Sequence, residues 1–452
     1  MKTLLIAFLL LFFTACEDPY TKPVANAGIQ QFVITNSMVS LDGSKSVSNN
    51  GKFLSYRWSF QNIPSSSSAI IFNESSVNAS FYADVDGEYS VQLIVNDTQE
   101  DSDASVVKIV ASKAASVESC VINDTRALHE YAWQYGYQDN NFSKQYNMTK
   151  TASICLPDAW SHTKGSGVKV AIIDDSFELN HEDFGVNIIN SYNVKTGTSD
   201  VSNDSGYTSH GTHTLSLLAA LENTVGGVGV APEAEYIVIK PDFFDGTAFD
   251  SEVIEALEYA RTEGAQVISN SWGSDNVGDV LSTQIKSLHD SGITLIFAVG
   301  NDNSNMDGSI NDESELPWVI GVGASSEYAR KTSYSNYGSN MDILAPGGEN
   351  VGVLSADEMG SYGDNRRGEQ NGAINNNYHM FRGTSGAAPQ VAGVAALILS
   401  VNAQLTPTQV REIIIKSADK IGDKVYDTKG FNKYYGYGKI NAKRAVELAL
   451  TY

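Results

Sequence analysis

The chain has 452 residues, with 53 acidic against 30 basic side chains and a formal net charge of −23. A surplus of that sign excludes nucleic acid as a partner, because phosphate binding needs a basic face. It suits an exported soluble protein, calcium binding or attraction to basic peptides, and the length allows two to four domains.

Residues 1–16 read as a targeting segment. Met1-Lys2 supplies a positive start, and Leu4 to Phe13 forms an apolar core too short to span a bilayer. Phe13-Thr14-Ala15-Cys16 resembles a bacterial lipobox, which implies lipidation of Cys16, export and a membrane anchor at the cell envelope. Residues 22–111 read as all-β. Tyr89, Val91, Leu93 and Val95 alternate with polar neighbours, Tyr56 to Phe60 and Ser105 to Val110 form further strands, and turn-rich stretches such as Ser48-Asn49-Asn50-Gly51 separate them. Short strands at this spacing predict a β-sandwich with Trp58 as a core anchor. The phrases Pro23 to Gly28, Leu41-Asp42-Gly43-Ser44, Tyr56-Arg57-Trp58 and Gly87-Glu88-Tyr89 resemble a PKD domain, an immunoglobulin-like module expected to act as a spacer or a contact to a surface polymer.

Residues 112–154 read as a polar, aromatic-rich connection. Cys120 and Cys155 are candidates for one disulfide in an exported protein. From 155 to 450 the pattern alternates. Strands are predicted near Lys169–Ile173, Tyr236–Lys240, Val267–Asn270, Thr294–Val299 and Val319–Val322. Helices are predicted near His210–Leu221, Asp250–Glu263, Leu281–Ser291, Pro389–Val401 and Thr406–Lys416. This implies an α/β body with a parallel sheet covered on both faces and functional residues at the strands' C-terminal ends.

Three segments carry chemistry. Val170 to Ile173 is a buried strand that delivers Asp174-Asp175-Ser176; Ser209-His210-Gly211-Thr212-His213 opens an apolar helix; Gly383-Thr384-Ser385-Gly386-Ala387-Ala388-Pro389 precedes another. A serine at a helix start is often only a cap. A carboxylate, a histidine and a serine at the edges of buried elements are also the parts of an activated nucleophile. The order Asp, His, Ser and the segments IIDDS, HGTH and GTSGAAP resemble the signature motifs of the subtilisin-like serine proteases. The resemblance spans roughly 155–450 and includes the closing phrase Gly436 to Ala442.

The resemblance implies endopeptidase activity through an acyl-enzyme, with Ser385 as nucleophile, His210 as base, Asp174 as its orienting carboxylate and Asn301 as oxyanion donor beside the Ser385 N–H. His213 and Asp175 are the rivals that the motifs place second. Ser271-Trp272-Gly273 resembles the strand that pairs with an extended substrate, although Trp272 alone reads equally as packing. Asp174-Asp175 and Ser271-Trp272-Gly273 lean towards the kexin-like branch, and Asp275, Asp307 and Asp312 would then pair with substrate Arg or Lys. Asp183 and the loop residues Asn223, Val225 and Gly227 match a family calcium site, with Asp124 a weaker addition and a plain turn the alternative reading of the loop. No cofactor is expected for catalysis, and zinc is disfavoured because the histidines lack ligand spacing and no paired cysteines accompany them.

Several positions depart from the family pattern: Ser176, Thr214-Leu215-Ser216, Gly386 and Gln390. Small residues beside the nucleophile are expected to loosen the site. Where relatives carry an inhibitory propeptide, this chain has the PKD-like segment, so either residues 112–150 do part of that work or the enzyme folds unaided. The competing reading is an inactive adhesion or binding lipoprotein that retains the protease fold; the intact Asp174, His210, Asn301 and Ser385 weigh against it.

Overall fold

Alternation along Tyr89, Val91, Leu93 and Val95 becomes a strand whose four named side chains are fully buried. The computed structural model describes residues 21–28, 31–35, 37–112, 131–136, 139–203, 210–242, 249–274, 276–308, 312–360, 362–364 and 374–452. The chain divides into two units, Met1–Ala114 and Ala115–Tyr452.

The first unit contains β1 (Gln31–Ile34), β2 (Ser37–Asp42), β3 (Ser55–Asn62), β4 (Ile71–Phe72), β5 (Asn78–Ala83), β6 (Gly87–Asn96) and β7 (Ser105–Ser112). They form two sheets, β1-β7-β6-β3 and β2-β5-β4. Trp58, Phe81 and Tyr89 fill the core between them. Trp58 is 2% exposed and its indole N–H donates to the Ser76 carbonyl at 3.0 Å, which satisfies the one polar atom the burial would otherwise strand.

The second unit begins with two short helices, α1 (Asn141–Gln145) and α2 (Leu156–Ala159). There follow β8 (Lys169–Ile173), β9 (Ile188–Asn193), α3 (His210–Ala219), β10 (Glu235–Lys240), α4 (Phe249–Thr262), β11 (Val267–Asn270), α5 (Asp279–Asp290) and β12 (Thr294–Ala298). The remainder is β13 (Ile320–Ser325), β14 (Ile343–Pro346), β15 (Val353–Ala356), β16 (Tyr378–Phe381), α6 (Thr384–Val401), α7 (Pro407–Ser417) and α8 (Ala442–Ala449). Seven strands form one parallel sheet in the order β14-β13-β12-β11-β8-β10-β9. Its central strands are buried on both faces, which is why they read as unbroken apolar runs. Helices α4 and α5 pack on one face with Val253, Leu257, Leu281 and Ile285, while α3 and α6 fill the other.

Three sequence expectations change. Helix α6 starts at Thr384 rather than at Pro389, because a proline can sit early in a helix when the carbonyl it leaves unbonded finds another donor. Strands β9 and β14 add to the predicted set: β9 is a polar-mixed edge strand and β14 only four residues long. The described part of the expected connection 112–154 packs into the second unit, where Trp133 and Ile154 join the main core and the Trp133 N–H donates to the Gly352 carbonyl at 2.7 Å. Helix α6 is long and apolar enough to cross a membrane by composition, yet 83% of it is buried inside this body.

The closing phrase Gly436 to Ala442 holds a buried ion pair. Lys439 and Asp419 are both 0% exposed and 3.1 Å apart; Lys439 also donates to the Ser153 carbonyl. Arg444 and Asn441 donate to the same carboxylate. Removing one partner of such a pair strands a buried charge. Asp419→Ala, which leaves the buried Lys439 ammonium without its carboxylate, is therefore expected to lower stability by about 3–5 kcal/mol, read as an earlier midpoint in urea unfolding; an unchanged midpoint would show that the pair is dispensable.

Candidate active site

Because the sheet is parallel, neighbouring strands end at one edge. Ile173 of β8 pairs with Asn270 of β11, which pairs with Phe297 of β12. The residues that follow, Asp174, Ser271 and Asn301, therefore emerge side by side at the C-terminal edge of the sheet.

Asp174 is 3% exposed, and its Oδ1 lies 2.7 Å from His210 Nδ1. The Thr214 hydroxyl, one helical turn along α3, is 2.9 Å from Asp174 Oδ2 and donates to it. Asp175 acts on the backbone instead. Its carboxylate accepts the N–H groups of His210 (3.3 Å) and Gly211 (2.9 Å), the unpaired donors at the start of α3. It thereby anchors the turn that carries His210. Gly211 must stay small, since a methyl there would come within 2.4 Å of the Ser176 carbonyl.

Ser385 is the second residue of α6, where backbone N–H groups have no helical partner. Its hydroxyl donates to the Ser271 carbonyl at 3.3 Å. Pro389 cannot donate to the Ser385 carbonyl four residues back, and the Ser271 hydroxyl donates to that carbonyl instead at 3.1 Å. Asn301 Oδ1 accepts the Thr384 N–H (2.9 Å) and hydroxyl (3.1 Å), which fixes the orientation of its amide at the helix start. Gly383 has φ 131°, and a methyl on it would lie 3.6 Å from both Asn301 Oδ1 and Ser385 N and 3.7 Å from Asn301 Nδ2, so the Asn301 amide and the Ser385 nitrogen border one small space. Such a space can receive an oxyanion.

The unusual neighbours of the nucleophile leave no gap. A methyl on Gly386 would already touch Val353 (3.1 Å) and Phe381 (3.4 Å). Gln390 Nε2 donates to the carbonyls of Pro346 (2.6 Å) and Gly386 (2.7 Å). Ser216 donates to the His213 carbonyl and accepts the Ala356 N–H, tying α3 to β15. The expected loosening is not what these contacts describe.

Trp272 resolves towards packing. Its N–H donates to the Ile173 carbonyl at 3.0 Å and its ring meets Phe297 edge-on. Gly273 faces Asp312, whose carboxylate would lie 2.2 Å from a methyl on that glycine. Burial, with the charges of Glu313 and Glu315, pushes Asp312 up to about 7. Asp307 is engaged by the Ser339 N–H and hydroxyl. Asp275, Asp124, Cys120 and Cys16 lie outside the described residues; Cys155 is disulfide-bonded.

The expected calcium residues converge. Asp183 is 1% exposed and accepts Asn223 Nδ2 (2.9 Å) and the Gly227 N–H (3.0 Å). Burial pushes its carboxyl up to about 7, and among the described residues no Lys or Arg pairs with it. A buried carboxylate held only by neutral donors suits a hard cation in charge. The Asn223 oxygen, however, accepts the Val225 N–H at 2.8 Å rather than facing Asp183.

Burial disfavours the His210 imidazolium, but the Asp174 carboxylate in contact with it, with Asp175 and Asp364 behind, outweighs burial and raises the ring to about 9. Below that pH the ring holds a proton and cannot accept one from Ser385. In NMR titrations the His210 resonance should shift with a midpoint well above the ordinary value of about 6.5, and Asp175→Asn should lower the midpoint. A wild-type midpoint at or below the ordinary value would contradict the arrangement.

The subtilase family profile matches residues 165–438 and a PKD domain profile matches 27–110. Subtilisin NAT of Bacillus subtilis subsp. natto is 33% identical over 288 residues, 63% of this chain and 66% of that protein. A calcium-dependent protease of a Nostoc species is 32% identical over 382 residues, 75% of this chain and 56% of the relative. The chain thus spans just under two thirds of the first of these relatives and about half of the second. Among solved structures, a protease of Pseudoalteromonas arctica superposes with a TM-score of 0.56 at 27% identity, covering 66% of this chain and 94% of that one. A serine protease of Aeromonas sobria shares the fold with a TM-score of 0.60 at 22% identity, covering 67% and 63%. With the family profile matched over more than half its length, and with the sheet edge gathering the family's motif residues, the chain belongs to the subtilase family.

Proposed function

We propose that this chain is a serine endopeptidase acting on proteins or peptides. The observation that carries the reading is the 2.7 Å Asp174–His210 contact on the sheet edge that also carries Asn301 and faces Ser385. His210 Nε2 takes the Ser385 proton as the oxygen attacks the scissile carbonyl. Asp174 fixes the ring's tautomer and steadies its positive charge. The oxyanion is received by the Ser385 N–H and Asn301 Nδ2. Collapse of the intermediate gives the acyl-enzyme and an amine that leaves with the proton from His210; water, deprotonated by the same ring, then frees the acid and Ser385. Substrate runs as an added strand along Ser271–Gly273, with Asp312 beside Gly273 to meet a basic side chain. Export with lipidation at Cys16 anchors the enzyme to the envelope, and the PKD domain serves as a spacer.

Labelling with a fluorophosphonate should mark the wild type and not Ser385→Ala. Asn301→Ala should label slowly and lose about 10²–10³ in turnover. A folded wild type that takes no label would sink the proposal.

The Nostoc relative is named a calcium-dependent protease, and the buried Asp183 carboxylate supports a structural calcium ion here, held with Asn223, Val225 and Gly227. Chelation with EGTA should lower the melting temperature, calcium should restore it, and Asp183→Asn should abolish the response. Equal melting with and without calcium would remove the ion from the account.

A further inference from the structure

His213 lies one helical turn past His210, is 1% exposed, and has no role in the chemistry proposed above. Its Nδ1 is 3.0 Å from the Ser355 hydroxyl. Ser355 sits opposite His379 in the β15–β16 pair, and its single proton goes to the His379 carbonyl at 3.2 Å. The proton between His213 and Ser355 therefore belongs to Nδ1, and the neutral ring carries its lone pair on Nε2. Nε2 has no hydrogen-bond partner. It faces Asp357 Oδ1 at 3.5 Å and Asp364 Oδ2 at 3.7 Å. A proton on Nε2 would make ion pairs at these distances, and a metal ion would compete with it for the same space. A lone pair turned towards two carboxylates in a buried space is repulsive until a cation lies between them.

His379 completes the group: His213, Asp364 and His379 each present a donor atom within 4.8 Å of the others. Ligands about 2.0–2.2 Å from a tetrahedral zinc ion lie roughly 3.3–3.6 Å apart, so a modest inward movement closes the shell. We propose that His213, His379 and Asp364, with Asp357 as fourth donor, bind a divalent transition metal. Two imidazoles with carboxylate oxygens favour zinc over calcium. The Nδ1–H of His213 on Ser355 is the outer-shell bond that metal-ligating histidines ordinarily make.

This reverses the expectation that zinc is disfavoured. Ligand spacing along the chain is poor, but the fold brings α3 against the β15–β16 pair and the loop after β15. Phe381 stacks on His213 (4.6 Å, 10°) and meets His210 edge-on at 5.4 Å. A metal here would pin the segment after β15 to the helix that carries His210.

Zinc titration of the chelator-stripped full chain, in competition with a chromophoric chelator, should give one bound equivalent. Cobalt(II) should give the intense visible bands of a tetrahedral site. His379→Gln and Asp364→Asn should each weaken zinc binding by about tenfold or more, and Ser355→Ala by about 10–100-fold. Asp183→Asn should leave zinc uptake unchanged, which separates this site from the calcium loop. Circular dichroism distinguishes lost binding from lost fold in each variant. No uptake by the folded wild type, or uptake unchanged in both His379→Gln and Asp364→Asn, overturns the site.

Discussion

Helix α6 is the constraint on which the rest of the second unit depends. From Thr384 to Leu399 every residue is buried, and the helix is apolar on all sides, so it can only run through the interior. It packs against β11, β12, β13 and β14 and against α3. Once it lies there, its N-terminus meets the C-terminal edge of the sheet, with Ser385 in its first turn. The carbonyl that Pro389 leaves unbonded then decides the place of Ser271, whose hydroxyl satisfies it. One packing requirement thus sets the nucleophile, its oxyanion donors and the adjoining backbone in register.

Around this apolar axis the polar groups are arranged by charge. Asp174, Asp175 and Asp364 surround the start of α3 with carboxylates, and His210 is the cation-forming group among them. Asp175 illustrates how two adjacent acids divide the work: one holds the ring, the other holds the backbone of the helix that carries the ring. Thr214 adds a donor to Asp174 from the same helix. The acidic surplus of the whole chain is therefore not only a matter of solubility; part of it is buried where cations are wanted. Asp183 is a place where, among the described residues, no lysine or arginine meets that demand.

The central strands are legible in the sequence because burial on both faces leaves an unbroken apolar run, as in Val170 to Ile173 and Ile296 to Val299. Trp58 is legible in the first unit because an aromatic amid short alternating strands has only the core to fill. Strands β9 and β15–β16 are not legible, since Asn190, Ser191 and His379 break the apolar pattern, and pairing there is decided by neighbours far along the chain. The start of α6 is obscured because Gly383, Gly386 and Pro389 look like breakers locally; tertiary contacts supply the partners that the helix lacks.

The sequence by itself determined the residue types and their order: the carboxylate after a buried strand, the histidine and serine opening apolar helices, and the asparagine after another strand. These are local signals, written in contiguous residues. The tertiary structure alone decided which groups meet. It separated the roles of Asp174 and Asp175, turned the Trp272 ring inward, filled the space beside Gly386 with Phe381, and brought His213 to His379. Such contacts join residues far apart in the chain, where no periodicity or spacing can foretell them.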